Sequence, residues 1–169
     1  MSPAERNQPV SEPASASRRV LLAAATLAVA GSASAQTNDP GQLAAIIEAY
    51  AAALRSNNVE ALVALYATNG VFMREDLPAV VGIEALRASY QKVFATLKVD
   101  LRFNIQEIEM AGDLAWLRST SKGRIKTLAS GLEADESFNG LFVFRREGGT
   151  WKIRCYLYAS NKPGPATPQ

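Results

Sequence analysis

The chain has 169 residues, the length of one domain, and 48% of them are hydrophobic, enough for a packed core. Its 18 Lys and Arg residues against 16 Asp and Glu residues give a net charge of +2, too little basic excess for a nucleic-acid-binding protein. There is no His and a single cysteine, Cys155, which excludes His-dependent nucleophiles, His or thiolate metal sites and an intrachain disulfide. The sequence contains neither a Gly-rich phosphate loop before a helix nor a Ca²⁺ loop, so we expect no metal and no cofactor.

The first 35 residues predict a signal peptide and not a part of the fold. Arg18 and Arg19 precede an apolar stretch, Val20–Ala30, and the small residues that follow end in an Ala-x-Ala pattern at Ala35. This order is that of a secretory signal peptide, and the paired arginines resemble a twin-arginine export signal. The apolar stretch is about half of the ~20 residues that span a bilayer. We therefore expect cleavage after Ala35, a periplasmic or secreted protein, and no membrane anchor after processing.

Three amphipathic helices are predicted next. Asp39 is a suitable N-cap, and Pro40 fits the first helical position. The apolar residues of this helix recur at helical spacing on one face: Leu43, Ile46, Ile47, Tyr50 and Leu54. Asn58 can cap a shorter second helix, whose inward residues would be Val59, Leu62, Val63 and Tyr66. Gly82 precedes a third helix, whose single apolar stripe is Ile83, Leu86, Tyr90, Val93, Phe94 and Leu97.

Strands dominate the second half of the chain. After two short strands at Val71–Met73 and Val80–Val81, the apolar period changes from 3.6 to 2 at Lys98, which predicts four long strands connected as a meander. A phase shift near Gln106-Glu107 predicts a bulge that bends the sheet. The predicted fold is α+β: a cone-shaped barrel of a curved antiparallel sheet packed on three N-terminal helices. Residues 163–169 hold three Pro and a Gly, and we expect them to form a flexible tail.

Five segments, taken in order, carry a family resemblance: Ile47–Tyr50, Leu54–Leu62, Ala64–Ala67, Val81–Arg87 and Leu141–Ile153. They resemble the nuclear transport factor 2-like superfamily, and within it the SnoaL-like and ketosteroid-isomerase-like branch. We assign residues 36–162 to this domain. The resemblance implies a pocket between the helices and the sheet and, commonly, a homodimer formed through the sheet. It does not imply one chemistry, because this fold hosts isomerases, cyclases, dehydratases and simple binders.

The resemblance also allows a test of whether the chain has the functional residues of an enzyme of this superfamily. Steroid isomerases of this superfamily use a tyrosine on the first helix, a carboxylate base after the first strand and a protonated acid on the third long strand. Tyr50 occupies the tyrosine position, whereas the base position falls on Arg74 and the acid position near Asn139-Gly140. Steroid isomerisation by that mechanism is therefore not expected. Glu75 and Asp76 could serve as bases if their loop brings them in, although charged residues in a turn are usually solvated. Glu136 could point into the cone and face Arg118, where a structural ion pair is favoured over a catalytic role.

A ligand-binding role depends on side chains at inward positions. We predict a pocket lined by Tyr50, Phe72, Arg74, Trp116, Arg118, Phe142 and Tyr156. An inward arginine needs an anionic or carbonyl-bearing partner, so either arginine in the pocket would indicate such a ligand. For Tyr50 a place in the core is an equal alternative, and for Phe72, Trp116 and Phe142 it is the favoured one.

The register of the last strand stays open at this point. Hydrophobicity alone places one set of its residues inward: Trp151, Ile153, Cys155 and Leu157. The family alignment, with one extra residue in the preceding turn, instead turns Arg154 and Tyr156 to the cavity. Cys155 is most simply a small buried hydrophobic residue.

Three functions remain compatible with the sequence. The first is an exported, dimeric protein that binds a small, largely apolar molecule. The second is an enzyme that carries out acid–base chemistry on a carbonyl compound, with Glu75, Asp76 or Glu136 as base and Tyr50 as donor. The third is an interaction module whose pocket is filled by side chains and whose open sheet binds a partner.

Overall fold

A computed structural model describes residues 39–162 of the chain. All described residues belong to one compact unit. The predicted signal peptide and the predicted flexible tail at 163–169 lie outside the described residues. Within residues 39–162, no helix has the length and apolar character needed to cross a membrane.

Three helices form as the capping residues predict. They are α1 (Pro40–Arg55), α2 (Val59–Val63) and α3 (Ile83–Thr96). The Asp39 side chain accepts a hydrogen bond of 2.8 Å from the Gly41 N–H, and the Asn58 side chain accepts one of 2.9 Å from the Ala61 N–H. These side chains satisfy backbone donors that have no partner within the first turn of a helix. Both predicted caps are therefore confirmed.

The six strands form one sheet. They are β1 (Tyr66–Met73), β2 (Val80–Val81), β3 (Leu97–Ala111), β4 (Leu114–Thr127), β5 (Glu133–Glu147) and β6 (Thr150–Ser160). Their order is β2-β1-β6-β5-β4-β3, so β2 and β3 are edges and the sheet is not closed. The predicted α+β class and the meander from β3 to β6 are confirmed.

The first strand differs from the prediction in two respects. It pairs with β6 in parallel, whereas the whole sheet was expected to be antiparallel. It also begins at Tyr66, which the helical spacing assigned to α2. The Ile153 N–H donates a hydrogen bond of 2.8 Å to the Leu65 carbonyl oxygen, so pairing with β6 takes over the backbone groups that a longer α2 would use.

Two irregularities set which side chains face the helices. The predicted bulge in β3 is present, because the pairing with β4 shifts between Ile105 and Glu107. A second shift lies between β5 and β6, where Val143 pairs with Cys155 but Phe144 pairs with Ile153. Arg154 is the extra residue of this bulge, and it reverses the alternation of side chains along β6.

The bulge at Arg154 settles the register of β6, and each of the two alternatives is correct for half of the strand. Trp151 and Ile153 are buried as hydrophobicity predicts, and Tyr156, beyond the bulge, is buried as the family alignment predicts. Leu157 is 39% exposed and Cys155 is only half-buried, so their predicted inward placement is wrong. Arg154 does not face the cavity either, since its Nη1 donates a hydrogen bond of 2.9 Å to the Asn69 carbonyl oxygen.

Candidate functional site

A cavity of about 280 Å³ lies between α1, α3 and the inner face of the sheet. Fifteen side chains line it, from α1, β1, α3, the four long strands and the loop after β1. Its aliphatic and phenylalanine residues are Leu54, Phe72, Leu77, Val93, Leu97, Val99, Leu101, Phe103, Ile125 and Phe138. The remaining five are four tyrosines, Tyr50, Tyr90, Tyr156 and Tyr158, and one charged residue, Arg74. The cavity is therefore apolar with few polar groups, as small-molecule sites are.

One wall of the cavity is a stack of aromatic rings. The ring of Tyr156 lies parallel to that of Phe142 at 3.9 Å between centroids, and Phe72 stacks between Tyr156 and Tyr90 at 5.6 and 5.1 Å. Tyr50 meets Tyr156 edge to face, with its centroid 5.4 Å away. Stacked and edge-to-face pairs are the favoured aromatic arrangements, so this wall is fixed by packing before any ligand is present.

Three buried tyrosines, Tyr50, Tyr66 and Tyr90, form a chain of hydrogen bonds, the tyrosine chain. The Oη atoms of Tyr50 and Tyr90 are 2.7 Å apart, and those of Tyr66 and Tyr90 are 2.9 Å apart. Burial raises the pKa of each of these phenols above the ordinary value of tyrosine, so all three stay protonated and act as donors at neutral pH. Two hydrogen bonds use two of three hydroxyl protons. The chain can thus donate one further hydrogen bond, and Tyr50 and Tyr90 are its members at the cavity.

Arg74 brings the single positive charge to the lining. Its Cζ atom lies 5.7 Å from the centroid of the Phe72 ring, and in the described part of the chain its buried Nε has no hydrogen-bond partner. Tyr158 is close enough to feel this charge: burial raises the pKa of its phenol, and the Arg74 guanidinium partly offsets that rise. A buried N–H without a partner costs free energy, so this end of the cavity is prepared for an acceptor.

Four of the seven predicted ligand-binding residues line the cavity: Tyr50, Phe72, Arg74 and Tyr156. Phe142 does not, because it is fully buried behind Tyr156. Trp116 and Arg118 lie elsewhere, since the inward positions of β4 are Ala115, Leu117 and Ser119. The Nε of Arg118 instead pairs with the Glu107 carboxylate at 3.2 Å, on the outer face of the sheet.

None of the three carboxylates considered as bases lines the cavity. Glu75 is not among the lining residues and accepts a hydrogen bond of 2.7 Å from the Ser160 N–H. Asp76 is exposed in the turn after β1, with a positive φ of 57°. Glu136 has the inward parity of β5 but lies beyond the helices, where it forms an ion pair of 3.0 Å with Lys162 and not with Arg118. The structure therefore brings none of the three candidate bases into the cavity lining beside Tyr50.

The sequence analysis missed two tyrosines at the cavity. Tyr90 was assigned to the core stripe of α3, but its hydroxyl is the centre of the tyrosine chain. Tyr158 shares a face of β6 with Tyr156, the sequence leaves the orientation of that face open, and the bulge at Arg154 brings both to the cavity. The helical spacing of Tyr90 was a usable signal, whereas no local pattern revealed the side chain reversal in β6.

The described residues contain no group of three Cys, Asp or Glu side chains arranged to hold a metal ion. The lining offers phenol hydroxyls and one guanidinium, which are hydrogen-bond donors at neutral pH. Chemically, this arrangement can hold an acceptor-bearing, mainly apolar molecule.

Comparison with known proteins gives the same architecture. A ketosteroid isomerase-like protein from Erwinia carotovora atroseptica is 28% identical, with a TM-score of 0.70 over 75% of this chain and 100% of that chain. A candidate dehydratase of the NTF2-like family from Streptomyces avermitilis is 17% identical, with a TM-score of 0.65 over 74% and 98%. An NTF2-like protein with a cystatin-like fold from Novosphingobium aromaticivorans is 19% identical, with a TM-score of 0.59 over 75% and 84%.

At these identities the last two establish the fold alone, and no curated protein sequence matches the chain. The profile of the SnoaL-like domain matches residues 47–154, which include α1 from its middle, the tyrosine chain and the first five residues of β6. The chain therefore belongs to the SnoaL-like domain family.

Proposed function

We propose that this protein binds one small, mainly apolar molecule with a hydrogen-bond acceptor in the cavity beside Tyr50. The observation that carries the proposal is the open space of about 280 Å³, lined by ten apolar side chains, four tyrosines and one arginine. Small-molecule sites are concave, mostly apolar places with a few polar groups, and their volumes begin at about 300 Å³. The remaining space also counts against an interaction module whose pocket is filled by its own side chains.

A second candidate is an acid–base enzyme that acts on a carbonyl compound. The hydrogen bonds from Tyr66 through Tyr90 to Tyr50 favour it, because a chain of neutral phenols can stabilise an oxyanion. The cavity lining, however, contains no carboxylate among the described residues. Proton abstraction by Glu75, Asp76 or Glu136 would need each to leave the position described above. Binding without turnover is for this reason our first choice.

Native mass spectrometry of the purified protein tests binding, with two variants that place the same indole on opposite faces of β4. Ile125→Trp puts the ring into the cavity, because Ile125 lines it. Arg124→Trp puts the ring one residue earlier on the outer face, where the Arg124 side chain is 69% exposed. We expect a co-purified small molecule on the unmodified protein and on Arg124→Trp, and its loss from Ile125→Trp.

Two results would contradict the proposal. One is the absence of any bound molecule over repeated preparations of the unmodified protein. The other is equal occupancy in Ile125→Trp and Arg124→Trp, which would place the molecule outside the cavity. Thermal unfolding of both variants checks that each is folded.

We also propose that the protein forms a homodimer through the outer face of the sheet. An apolar patch supports this proposal: Leu141 and Leu157 pair across β5 and β6 and are 38% and 39% exposed. Trp116, Val143 and Cys155 form the adjoining row. Sedimentation velocity should give twice the chain mass, and Leu141→Asp with Leu157→Asp should halve it. Leu132→Asp, in a turn and 72% exposed before substitution, should leave the mass unchanged.

Export is a further part of the proposal and is supported by residues 1–35 alone. Expression in a Gram-negative host should yield a periplasmic protein that begins at Gln36. Replacing Arg18 and Arg19 by lysine should stop export by a twin-arginine route and leave export by the general secretory route intact. Recovery of the uncleaved chain outside the periplasmic fraction would contradict the localisation.

A further inference from the structure

Arg74 is the one arginine of the described domain that lines the cavity. It follows the last residue of β1, lines the cavity, and holds its guanidinium 5.7 Å from the Phe72 ring. Its buried Nε has no hydrogen-bond partner within residues 39–162. By contrast, Arg87, Arg118 and Arg124 each pair with a carboxylate at 3.3 Å or less. Arg74 thus presents a charged donor to the cavity.

The nearest carboxylates in sequence do not neutralise this charge. Glu75 accepts a hydrogen bond of 2.7 Å from the Ser160 N–H and Asp76 is exposed, and within residues 39–162 neither forms an ion pair with Arg74. No other lining residue carries a charge. A partly buried cation without an anionic partner is unfavourable, and a bound anion would supply that partner. The positive charge of Arg74 therefore has no anionic partner among the residues that line the cavity.

The shape of the donor limits the anion. A guanidinium is planar and presents a fork of N–H groups, which matches the two oxygens of a carboxylate. Beside it stand the rings of Phe72, Phe138, Tyr156 and Tyr158, which all line the same cavity. Aromatic side chains stack favourably on a flat ring, so this wall favours a ligand that contains one. Because the cavity measures about 280 Å³, one or two rings fill it.

We infer that the molecule bound in this cavity is a small aromatic carboxylate, whose carboxylate pairs with Arg74 and whose ring packs against the aromatic wall. This inference rests on the proposed function and narrows it to one chemical class. Leu77 comes from the loop after β1 and is 51% exposed although it lines the cavity, so Arg74 and Leu77 mark its mouth. The carboxylate lies at this mouth and the ring lies inside.

Calorimetric titration with matched probes tests the inference. The probes are benzoate and 2-naphthoate, their neutral amides, and the corresponding arylmethylammonium cations, which share the ring and differ in charge. On the unmodified protein we expect the better-fitting carboxylate to bind about tenfold or more tightly than its amide, and the cation to bind weakest. This ranking does not depend on any variant being folded.

Variants then assign the preference to one side chain. Arg74→Gln should remove the preference for the carboxylate and leave the affinity for the amide unchanged, and Arg74→Lys should keep part of the preference. Arg118→Gln is the matched control, because Arg118 lies on the outer face and pairs with Glu107. It should bind all probes as the unmodified protein does.

Each remaining outcome is decisive. An amide that binds as tightly as its carboxylate, or a preference that persists in Arg74→Gln, overturns the inference but leaves the proposed function standing. A cavity that binds none of the six probes while a different molecule co-purifies also overturns it. Absence of both probe binding and a co-purified molecule overturns the proposed function as well.

Discussion

The described domain has two concave regions of opposite character. A groove of about 1,060 Å³ lies along β3, β4 and β5, and six basic and four acidic residues line it. The cavity beside Tyr50 has about a quarter of that volume and one charged residue. In the groove, opposite charges pair at the surface, for example Lys162 with Glu136 at 3.0 Å and Arg124 with Glu133 at 3.3 Å.

The difference shows that volume alone does not identify the site. Exposed ion pairs contribute about 0–1 kcal/mol each because water solvates the separated charges almost as well. The polar groups of the cavity are removed from water, so the buried tyrosine hydroxyls need one another and the Arg74 Nε lacks a partner. Because its polar groups are desolvated, the cavity is the region in which a bound ligand should change the free energy of the protein most.

The largest expected effect concerns the backbone at the base of the groove. β3 approaches β4 so closely at Gly123 that a Cβ atom there would overlap the Asp100 carbonyl oxygen, and the φ of Gly123 is positive. Gly123→Ala should lower the free energy of unfolding by about 3 kcal/mol, measured by chemical denaturation, because neither strand can move without breaking the ladder.

Gly148→Ala is the control for Gly123→Ala. Gly148 also has a positive φ, of 58°, but a Cβ there meets no atom within 4 Å. Gly148→Ala should lower the free energy of unfolding by about 1 kcal/mol, which is the cost of the backbone conformation alone. Equal losses in the two variants would show that the close approach of β3 and β4 does not matter.

Removing the central hydroxyl of the tyrosine chain should have the next largest effect. Tyr90→Phe leaves the hydroxyls of Tyr50 and Tyr66 without their shared partner, and both are buried. The free energy of unfolding should fall by about 2 kcal/mol. Tyr156→Phe is the matched control, since the Tyr156 hydroxyl has no hydrogen bond within the described residues, and it should cost less than about 1 kcal/mol. The reverse order would contradict the importance of the chain.

A smaller effect on folding stability is expected at alkaline pH, where a buried phenol of the cavity ionises less readily in the folded protein than in the unfolded chain. Burial raises the pKa of Tyr156 in the folded protein above the ordinary value of about 10 that it has in the unfolded chain. Below pH 10 the phenol is protonated in both states and stability is unaffected. Above pH 10 the unfolded chain releases the proton while the folded protein retains it, so stability falls with rising pH.

Tyr156→Phe should therefore show a shallower loss of stability between about pH 10.5 and 11.5, by about 1.4 kcal/mol per pH unit. Tyr158→Phe, at a half-buried tyrosine, should change the slope less. The measurement is denaturant unfolding at several pH values, and an unchanged slope in Tyr156→Phe would mean that this phenol ionises equally in both states.

How far the sequence predicts the molecule depends on how local the cause is. The caps at Asp39 and Asn58 and the bulge near Gln106-Glu107 follow from neighbouring residues, and all three are present. The parallel pairing of β1 with β6 is a contact between distant segments, and no local pattern signals it. The reversal at Arg154 likewise depends on register with β5, which is why the sequence leaves the face of Tyr156 and Tyr158 open.

The cavity residues follow the same rule. Tyr50 and Phe72 were predictable because each lies in a short, regular element whose inward face is clear. Glu75 and Glu136 were not excluded in advance, because their positions depend on the Ser160 N–H and on Lys162, which lie 85 and 26 residues away. Parity along β5 places Glu136 inward correctly, but only the extent of the helices shows that it lies beyond the cavity.

The smallest expected effect is the most direct test of the contrast between groove and cavity. Glu136→Gln removes one partner of the ion pair with Lys162, whose side chains are 24% and 44% exposed. Unfolding free energy should change by less than about 1 kcal/mol, and the affinities for benzoate and benzamide should not change, because Glu136 lines the groove and not the cavity. A change in ligand affinity of more than about threefold would place Glu136 within reach of the bound molecule and restore it as a candidate base.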